Sequence, residues 1–196
     1  MNVTIFNGGR GARSLIRSLL KIQNIKVNSI VNAYDDGKST GEVREFFDML
    51  GPSDIRKTQI TFLDKTDPNY ILYKDFFNFR LSNNISYEKG LSIINNFFET
   101  YDKFFPFHVN LKNKIKFFLN IFVKELNKND LKLNKKFQFD DCSIINCIYA
   151  GAYIFFDKDF LMSIYEINKM FKIKHNVIPN SLKNLKLVAI RENGEI

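Results

Sequence analysis

A glycine-rich turn near the N-terminus connects an apolar run to a segment with helical spacing. The turn, Asn-Gly-Gly-Arg-Gly-Ala at residues 7–12, follows the apolar residues 3–6 and precedes residues 14–20, whose apolar positions recur at helical intervals. Strand, glycine turn and helix in this order predict a βα unit. Glycines at such a junction let the backbone turn sharply and let an anion approach the N–H groups of the helix. The turn therefore favours a phosphate-bearing ligand, and the alternative is a tight turn without a ligand.

The turn departs from the two best-known phosphate motifs. Gly9-x-Gly11 is followed by Ser14 where the dinucleotide-binding fingerprint has a third glycine. No Gly-Lys-Ser/Thr follows at the spacing of a P-loop. On this segment alone, both interpretations of the turn stay open.

The bulk composition indicates one folded domain. The 196 residues, 45% of them hydrophobic, suffice for a single core, and the N-terminus lacks the features of a secretory signal. No apolar run is long enough to cross a bilayer. We therefore expect one domain over residues 1–196, located in the cytoplasm and without a membrane partner.

Cysteine and histidine are too few and too scattered for a metal centre. Cys142 and Cys147 lie five positions apart in one predicted helix, which places them on different sides of it. Neither His108 nor His175 has a cysteine or histidine close by in sequence. We expect buried thiols, histidines at the surface or at an interface, and neither zinc nor haem.

The chain is basic, with a formal net charge of +8 and a lysine-rich stretch at residues 103–136. Lysine, asparagine, isoleucine and phenylalanine are all used heavily while tryptophan is absent, so the lysines reflect a compositional bias and a solvated face rather than a nucleic-acid-binding stripe. Arginine is then the informative cation, because its planar fork suits phosphate and carboxylate. All arginines but one precede Leu81: Arg10, Arg13, Arg17, Arg44, Arg56 and Arg80.

Alternating elements predict a parallel sheet. Residues 26–32 have the pattern of a second strand, and the strand–helix–strand order implies a Rossmann-like α/β fold with flanking helices. Residues 65–136 are predicted to be a helical insertion. The helical pattern as a whole runs from residue 53 to about 136, with breaks at Pro68, residues 82–84, Pro106 and residues 127–129. The last predicted elements are helices at residues 142–155 and 160–171 and strands at residues 176–178 and 185–190.

Residues 115–123 within this region are both basic and aromatic, as in helices that lie on a membrane surface. The segment is apolar on all sides, whereas a membrane-surface helix keeps one polar face in water. We therefore predict that it packs into the core or against a partner.

A second polar loop follows the second predicted strand. Asp35 and Asp36 precede Gly37, and the hydroxyls of Ser39 and Thr40 lead into a helix. Acidic residues at this place hydrogen-bond sugar hydroxyls or hold a hydrated magnesium ion, while hydroxyls and glycine N–H groups suit phosphate. The alternative is an ordinary capped turn.

Two further helix starts carry polar residues. Residues 51–56, Gly-Pro-Ser-Asp-Ile-Arg, pair an acid with a base within one turn, and Ser143-x-x-Asn146 opens a later helix. Together with the two loops, this order resembles the CofD-like family, which contains 2-phospho-L-lactate transferase and the bacterial gluconeogenesis factor. Members carry a Gly-Gly-Thr-Gly turn, an Asp-Asp-Gly-Gly-Ser-Ser-Gly loop, a Gly-Asp-Ile-Arg-Asn segment and a Gly-His-Ser-x-Gly-Asn helix start. The corresponding segments are residues 8–11, 35–41, 53–57 and 141–146.

The resemblance implies a nucleotide site with tentative catalytic residues Asp35 and Asp36, of which Asp36 would also bind magnesium. The implied ligand-binding residues are Gly8, Gly9, Arg10, Gly11, Gly37, Lys38, Ser39, Thr40, Asp54, Arg56, Arg80, Ser143 and Asn146. Cys142 stands where the family has histidine, and Ile145, Lys38 and Ser53 replace glycines. The resemblance covers roughly the N-terminal two-thirds of a typical family domain. The domain is thus expected to be truncated, with its C-terminal strands absent.

Three functions follow as hypotheses. The first is binding of a nucleoside-diphosphate-linked ligand, such as a sugar nucleotide, by a gluconeogenesis-factor-like regulator, which residues 37–44 and 54–56 favour. The second is a magnesium-dependent enzyme, similar to 2-phospho-L-lactate transferase, that moves a phosphorylated group from a nucleotide to a hydroxyl acceptor. The third is a ligand-free domain that binds a partner, either a second copy or a chain supplying the missing strands.

Overall fold

A computed structural model describes residues 1–8, 10–185 and 192 of the chain. In chain order its elements are β1 (Asn2–Asn7), α1 (Arg13–Leu19), β2 (Lys26–Val31), α2 (Lys38–Phe47), α3 (Ser53–Phe62), α4 (Tyr70–Asn78), α5 (Tyr87–Asn95), α6 (Phe97–Thr100), a 3₁₀ helix (Asp102–Phe104), α7 (Val109–Leu133), α8 (Ile144–Phe155), α9 (Phe160–Met170) and β3 (Asn176–Pro179). No helix among the described residues has the length and apolarity needed to span a membrane.

The three strands form a parallel sheet in the order β1-β2-β3. This confirms the α/β fold class and the strands expected near residues 3–6, 26–32 and 176–178. The strand expected at residues 185–190 is not tested, because Leu185 lies outside any strand and residues 186–190 lie outside the described part of the chain.

One face of the sheet belongs to the core. Ile5, Val27, Val31 and Val177 are buried there, as is Ser29, which accepts a hydrogen bond from the side chain of Asn7. Helix α3 packs on β2 and β3, α9 packs on β3, and α1 packs on α3. The period-two alternation of burial along β2 therefore comes from helices that cover this inner face.

The opposite, outer face of the sheet carries an apolar row. Phe6 is in register with Ile30, and Ile30 with Ile178, so the three side chains cross the sheet in one line. Phe6 is 77% exposed and Ile178 37%. Parallel sheets are usually covered on both faces, so this row is unusual on a solvent-facing surface.

Helix α7 is the longest element, and it differs from expectation in two respects. It continues through residues 127–129, where a break was predicted, because Asn129 donates a side-chain hydrogen bond to the carbonyl of Phe46 at 2.7 Å and Asp130 is buried beyond it. Only one face of residues 115–123 is buried, including Ile115 and Phe118. Phe117 is exposed on another face, so the segment packs into the core as predicted but is not enclosed on all sides.

The three parallel strands point their carboxyl ends to the same edge of the sheet. The segments that follow them, residues 8–12, 32–37 and 180–185, therefore start from this edge. Asn180 joins two of these segments, since its N–H donates to the carbonyl of Val31 at 2.8 Å and its Oδ1 accepts from the N–H of Ala33 at 3.2 Å. Ligands of open α/β sheets bind beyond such an edge.

Candidate functional site

Three helices begin around the β2–α2 loop. Ser39, in the first turn of α2, accepts hydrogen bonds from the backbone N–H of Ser143 at 2.9 Å and from the side-chain amide of Asn146 at 3.1 Å. The N–H of Gly51, just before α3, donates to the carbonyl of Ala33 at 3.0 Å. A Cβ at Gly51 would lie only 2.6 Å from the carbonyl oxygen of Asp35, so glycine is needed for this approach. The starts of α2, α3 and α8 are thereby held side by side.

None of these three helix starts has a side-chain cap. The first turn of α3 contains Asp54, whereas the first turns of α2 and α8 contain no acid. Ser143 Oγ and Asn146 Oδ1 are buried without a hydrogen-bond partner among the described residues. Uncapped N-termini carry partial positive charge, which favours an anion. At the start of α8, the N–H groups of Ser143, Ile144 and Asn146 already have acceptors within the chain.

Arg56 is the most informative cation at this edge. It is only 5% exposed, and its guanidinium donates to the carbonyl of Phe77 at 2.5 Å, while its Nε has no partner among the described residues. Burial, and then the positive charges of Arg80 and Arg10, lower the pKa of Arg56 to about 10. Asp35 and Asp54 act in the opposite direction. Three arginines thus lie close enough for their charges to repel, as expected where an anion binds between them.

Two acidic residues hold cations at the rim of this region. Arg80 makes a bidentate pair with Asp141, at 2.7 and 2.9 Å, and Lys38 pairs with Asp140. The bridge between Arg80 and Ser143 places Arg80 beside the start of α8. Asp141 has a φ of 52°, in the left-handed region that aspartate enters more readily than most residues with a side chain, and the chain turns there. Neither Asp140 nor Asp141 was among the residues predicted for the site.

The sequence did not indicate the structural role of Arg44. Its guanidinium donates to the carbonyls of Tyr34, Asp35 and Leu185 and to the side chains of Asp36 and Asn184, at 2.6 to 3.3 Å. It therefore fastens the loop after β2 to the segment after β3. The sequence places Asp36 and Arg44 in one motif, but nothing in it indicated that Arg44 also contacts the distant Asn184.

The glycine turn after β1 is open. Gly8, Arg10 and Gly11 are exposed, and a Cβ at Gly8 or Gly11 would meet nothing within 4 Å. Gly9 lies outside the described residues. No packing requirement explains the glycines at 8 and 11, so the space beside them is free for a ligand. The following helix α1 is only seven residues long.

The carboxylates of the predicted site have different surroundings. Asp54 is buried, where it pairs with Lys57 at 2.6 Å and accepts a hydrogen bond from Asn32 at 3.5 Å. Asp36 Oδ1 accepts from Arg44 at 3.3 Å. In the part of the chain that is described, no three His, Cys, Asp or Glu side chains form a metal-binding group. A magnesium ion at this edge would therefore need ligand phosphates in addition to the acidic loop.

A shallow cavity of about 280 Å³ opens beside this loop, lined by Asp36, Gly41, Arg44 and Asp48 among others. Thr40 lies next to it in α2 but is buried, and its methyl group faces Gly51. Thr40 is therefore a packing residue in this structure, whereas Asp36 and Gly37 are exposed.

The two cysteines do not have the predicted arrangement. Cys142 precedes α8 instead of lying within it, and its Sγ is 3.5 Å from that of Cys147. The prediction that they occupy different sides of one helix is wrong, because the chain turns at Asp141 and folds Cys142 back over the helix. Both thiols are buried, as expected, and burial and the contact with Cys142 raise the pKa of Cys147.

The fold and the site define an α/β protein that gathers arginines and uncapped helix starts at the carboxyl edge of a parallel sheet. The chain matches the family 2-phospho-L-lactate transferase CofD over residues 3–196, and it belongs to that family.

Two named relatives match a shorter part of the chain. The gluconeogenesis factor of Listeria monocytogenes is 35% identical over 80 residues, which are 41% of this chain and 23% of the relative. That of Halalkalibacterium halodurans is 34% identical over 82 residues, 42% of this chain and 24% of the relative. The match thus spans about a quarter of these proteins. A crystal structure of a UPF0052 family member from Bacillus halodurans has the same fold, with a TM-score of 0.62 and 21% identity over 98% of this chain and 44% of that one.

Proposed function

We propose that this chain binds the phosphates of a nucleoside-diphosphate-linked ligand, such as a sugar nucleotide, and acts as a gluconeogenesis-factor-like regulator in the cytoplasm. The observation that carries the proposal is the cluster of Arg10, Arg56 and Arg80, in which the buried Arg56 has an unpartnered Nε among the described residues. Its like charges raise the free energy of the ligand-free chain, and a bound diphosphate would relieve that repulsion. The relatives named gluconeogenesis factor favour the regulatory role.

The roles of the individual residues follow from their positions. Arg10, Arg56 and Arg80 would contact the phosphates, with the uncapped start of α2 supplying N–H donors and that of α8 adding partial positive charge. Asp35 would accept from a sugar hydroxyl. Asp36 would hold magnesium through its second carboxylate oxygen, because Oδ1 already accepts from Arg44.

A thermal-shift screen tests this proposal. UDP-sugars, GDP, GTP and dinucleotides are added with and without magnesium to the purified chain and to two variants. Arg10→Gln removes an exposed cation of the cluster, and Lys89→Gln removes an exposed cation on α5 as the matched control. A ligand that binds the folded state raises Tm. We expect one nucleotide class to raise Tm in the parent and in Lys89→Gln but much less in Arg10→Gln. No shift with any nucleotide, or an equal shift in Arg10→Gln, would contradict the proposal.

A second candidate function is transfer of a phosphorus-containing group from an activated nucleotide to a hydroxyl acceptor. The name of the matching family supports it, as does Asp35, whose charge acts on Arg56, with Asp36 next to it in the chain. In this function Arg56 and Arg80 would neutralise charge on the transferring group. An Asp36→Asn variant that still binds nucleotide should lose turnover, and unchanged turnover would exclude this role of Asp36.

The outer face of the sheet supports a third function, docking of another polypeptide. We propose that its occupant is a separate chain that supplies further strands and helices of a CofD domain, and that such a chain covers Phe6, Ile30 and Ile178. The edge of β1 opposite β2 would pair with its first strand. Without that chain, the apolar row should drive self-association. Light scattering at micromolar concentration should give a mass above 23.0 kDa.

Two aspartate variants identify the surface that causes this association. Phe6→Asp should reduce the mass to that of a monomer, while Leu131→Asp, at an 85% exposed leucine on α7, should not. Co-expression with the unmatched part of the Halalkalibacterium halodurans gluconeogenesis factor should protect β1 amides from hydrogen exchange. A clean monomer of the parent chain would contradict this third function.

A further inference from the structure

A second cleft lies at the opposite edge of the sheet from the proposed nucleotide site. It has a volume of about 510 Å³, and its walls are the end of α1, the end of α3 with the loop that follows, and the residues that lead into β3. The imidazole of His175, in one wall, accepts a hydrogen bond at Nδ1 from the N–H of Val27 near the start of β2. The cleft is therefore at the amino ends of the strands, roughly 20 Å from the carboxyl edge for strands of this length.

The lining of the cleft is strongly basic. Five cationic side chains, Arg17, Lys21, Lys65, Lys172 and Lys174, line it together with one carboxylate, that of Asp64. Lys174 lies 3.6 Å from Asp64, and Lys172 pairs at 3.0 Å with Asp67 behind it.

The other three cations have no ion pair within the described residues, and Arg17 Nε is buried there without a hydrogen-bond partner. The ends of α1 and α3 contribute a negative potential worth about half a charge each. That is too little to offset three unpaired cations, so the cleft has a net attraction for anions.

The floor of the cleft combines an oriented donor with apolar surface. Because Nδ1 of His175 accepts from Val27, the neutral ring carries its proton on Nε2, which is then available as a donor. The ring packs against Phe62 with 5.0 Å between centroids, and Leu20 and Leu63 complete the apolar part. A cleft of this size, apolar with a few convergent polar groups, is typical of small-molecule sites.

We propose that this cleft binds a small organic anion that carries an apolar group. The anionic group, a phosphate monoester or a carboxylate, contacts Arg17, Lys21 and the Nε2–H of His175. The apolar group packs on Phe62 and Leu20. This site is separate from the nucleotide site, and neither depends on the other for its chemistry.

The two histidines of the chain provide a direct test by NMR, with phenyl phosphate as the probe. Phenyl phosphate should shift the ring signals of His175 saturably and raise its pKa, because a bound anion stabilises the imidazolium form. His108 is exposed at the start of α7 and serves as the internal control, so its signals should stay unchanged. Inorganic phosphate carries only the anionic group and phenol only the aromatic ring, so both should bind more weakly than phenyl phosphate.

Variants assign the effect to the cleft. Arg17→Gln should weaken phenyl phosphate binding about tenfold or more, the usual worth of a charge-assisted hydrogen bond, and Lys89→Gln should leave it unchanged. If Arg17→Gln folds poorly, the NMR titration of the parent chain with phenyl phosphate still tests the proposal. The proposal is overturned if His175 does not respond saturably, if His108 responds equally, if inorganic phosphate binds as tightly as phenyl phosphate, or if a folded Arg17→Gln binds like the parent.

Discussion

The hydroxyl of Ser39 accepts a hydrogen bond from the backbone N–H of Ser143, 104 residues later in the chain, at 2.9 Å. The same oxygen accepts from the side-chain amide of Asn146 at 3.1 Å. One buried oxygen thus fixes the start of α2 against the start of α8. The two helix starts flank the position proposed for the phosphates, so their separation decides whether the positive ends of both helices act on one ligand.

Replacing Ser39 by alanine should destabilise the chain by about 1–3 kcal/mol, because the N–H of Ser143 and the amide of Asn146 lose a buried acceptor. Nucleotide binding should weaken as well, since the two helix starts are no longer held together. Urea unfolding measures the first effect and thermal shift with nucleotide the second. Ser14→Ala, at an exposed serine of α1, is the control and should change neither. A Ser39→Ala chain as stable as the parent would show that this contact is unimportant.

The sequence predicted the elements of the sheet well because their signals are local. The apolar run before Gly8 and the apolar residues Val27, Ile30 and Val31 before a polar loop each indicate a strand within a few residues. The insertion was predicted to be helical for the same reason. The break expected at residues 127–129 was wrong, since Asn129 satisfies a carbonyl of α2 instead of ending its own helix.

The candidate site was predictable only in part, because its contacts connect residues far apart in sequence. The polar loops named most of the residues that the structure gathers, including Ser39 and Asn146. The sequence did not indicate that Asp141 pairs with Arg80, or that Arg44 reaches Asn184. Cys142 was placed in a helix because its neighbours have a helical pattern, whereas the positive φ of Asp141 ends the preceding segment in a turn. Contacts between side chains that are far apart in the chain leave no periodic pattern in the sequence, so they could not be predicted from it.

Arg56 should be more important for ligand binding than for stability. The drop in its pKa from the ordinary arginine value to about 10 corresponds to a penalty of about 3 kcal/mol on the charged form, mainly from burial. A buried charge without an ion-pair partner destabilises the folded chain, so its removal offsets the cost of leaving the carbonyl of Phe77 without a donor. Arg56→Met should therefore leave Tm of the free chain unchanged or higher, despite the lost hydrogen bond to Phe77, and should abolish the nucleotide-induced shift.

Arg44→Met is the matched control, because Arg44 is equally buried but makes five hydrogen bonds. Its replacement leaves several of their acceptors without a donor and should lower Tm clearly. If Arg56→Met lowered Tm of the free chain as much as Arg44→Met does, the repulsion inferred at Arg56 would be wrong.

Replacement by alanine should lower the stability of the chain at one glycine near the site and leave it unchanged at another. Gly51→Ala forces a methyl group to within 2.6 Å of the carbonyl oxygen of Asp35, so the loop must shift and the chain should lose stability. Gly11→Ala adds a methyl group to open space, so stability should not change, and any loss of nucleotide affinity there reports a clash with the ligand. Thermal unfolding with and without nucleotide separates the two effects. Equal stability of the two variants would contradict the close approach at Gly51.

His175 should make the chain less stable as the pH falls below neutrality. Burial, and then the charges of Lys174 and Lys26, lower its pKa in the folded chain below the ordinary value of 6.5. Between these two pKa values the unfolded chain binds more protons than the folded chain, so stability declines as pH decreases through about 6.5. Asp64 faces the same cleft but has a lowered pKa, and its own contribution is lost only below about pH 4.

Replacing His175 by asparagine should reduce this pH dependence, because an amide oxygen can accept from Val27 in the place of Nδ1 but does not titrate. The measurement is Tm at several values between about pH 5.5 and 7.5, a window in which the unfolded histidine changes charge. His108→Asn is the control, since asparagine also caps the start of α7 and His108 is exposed. Glu42, whose pKa is raised by burial, opposes the trend equally in all three chains, so the difference between variants isolates His175. A slope in His175→Asn as steep as that of the parent would mean that another group governs the acid sensitivity.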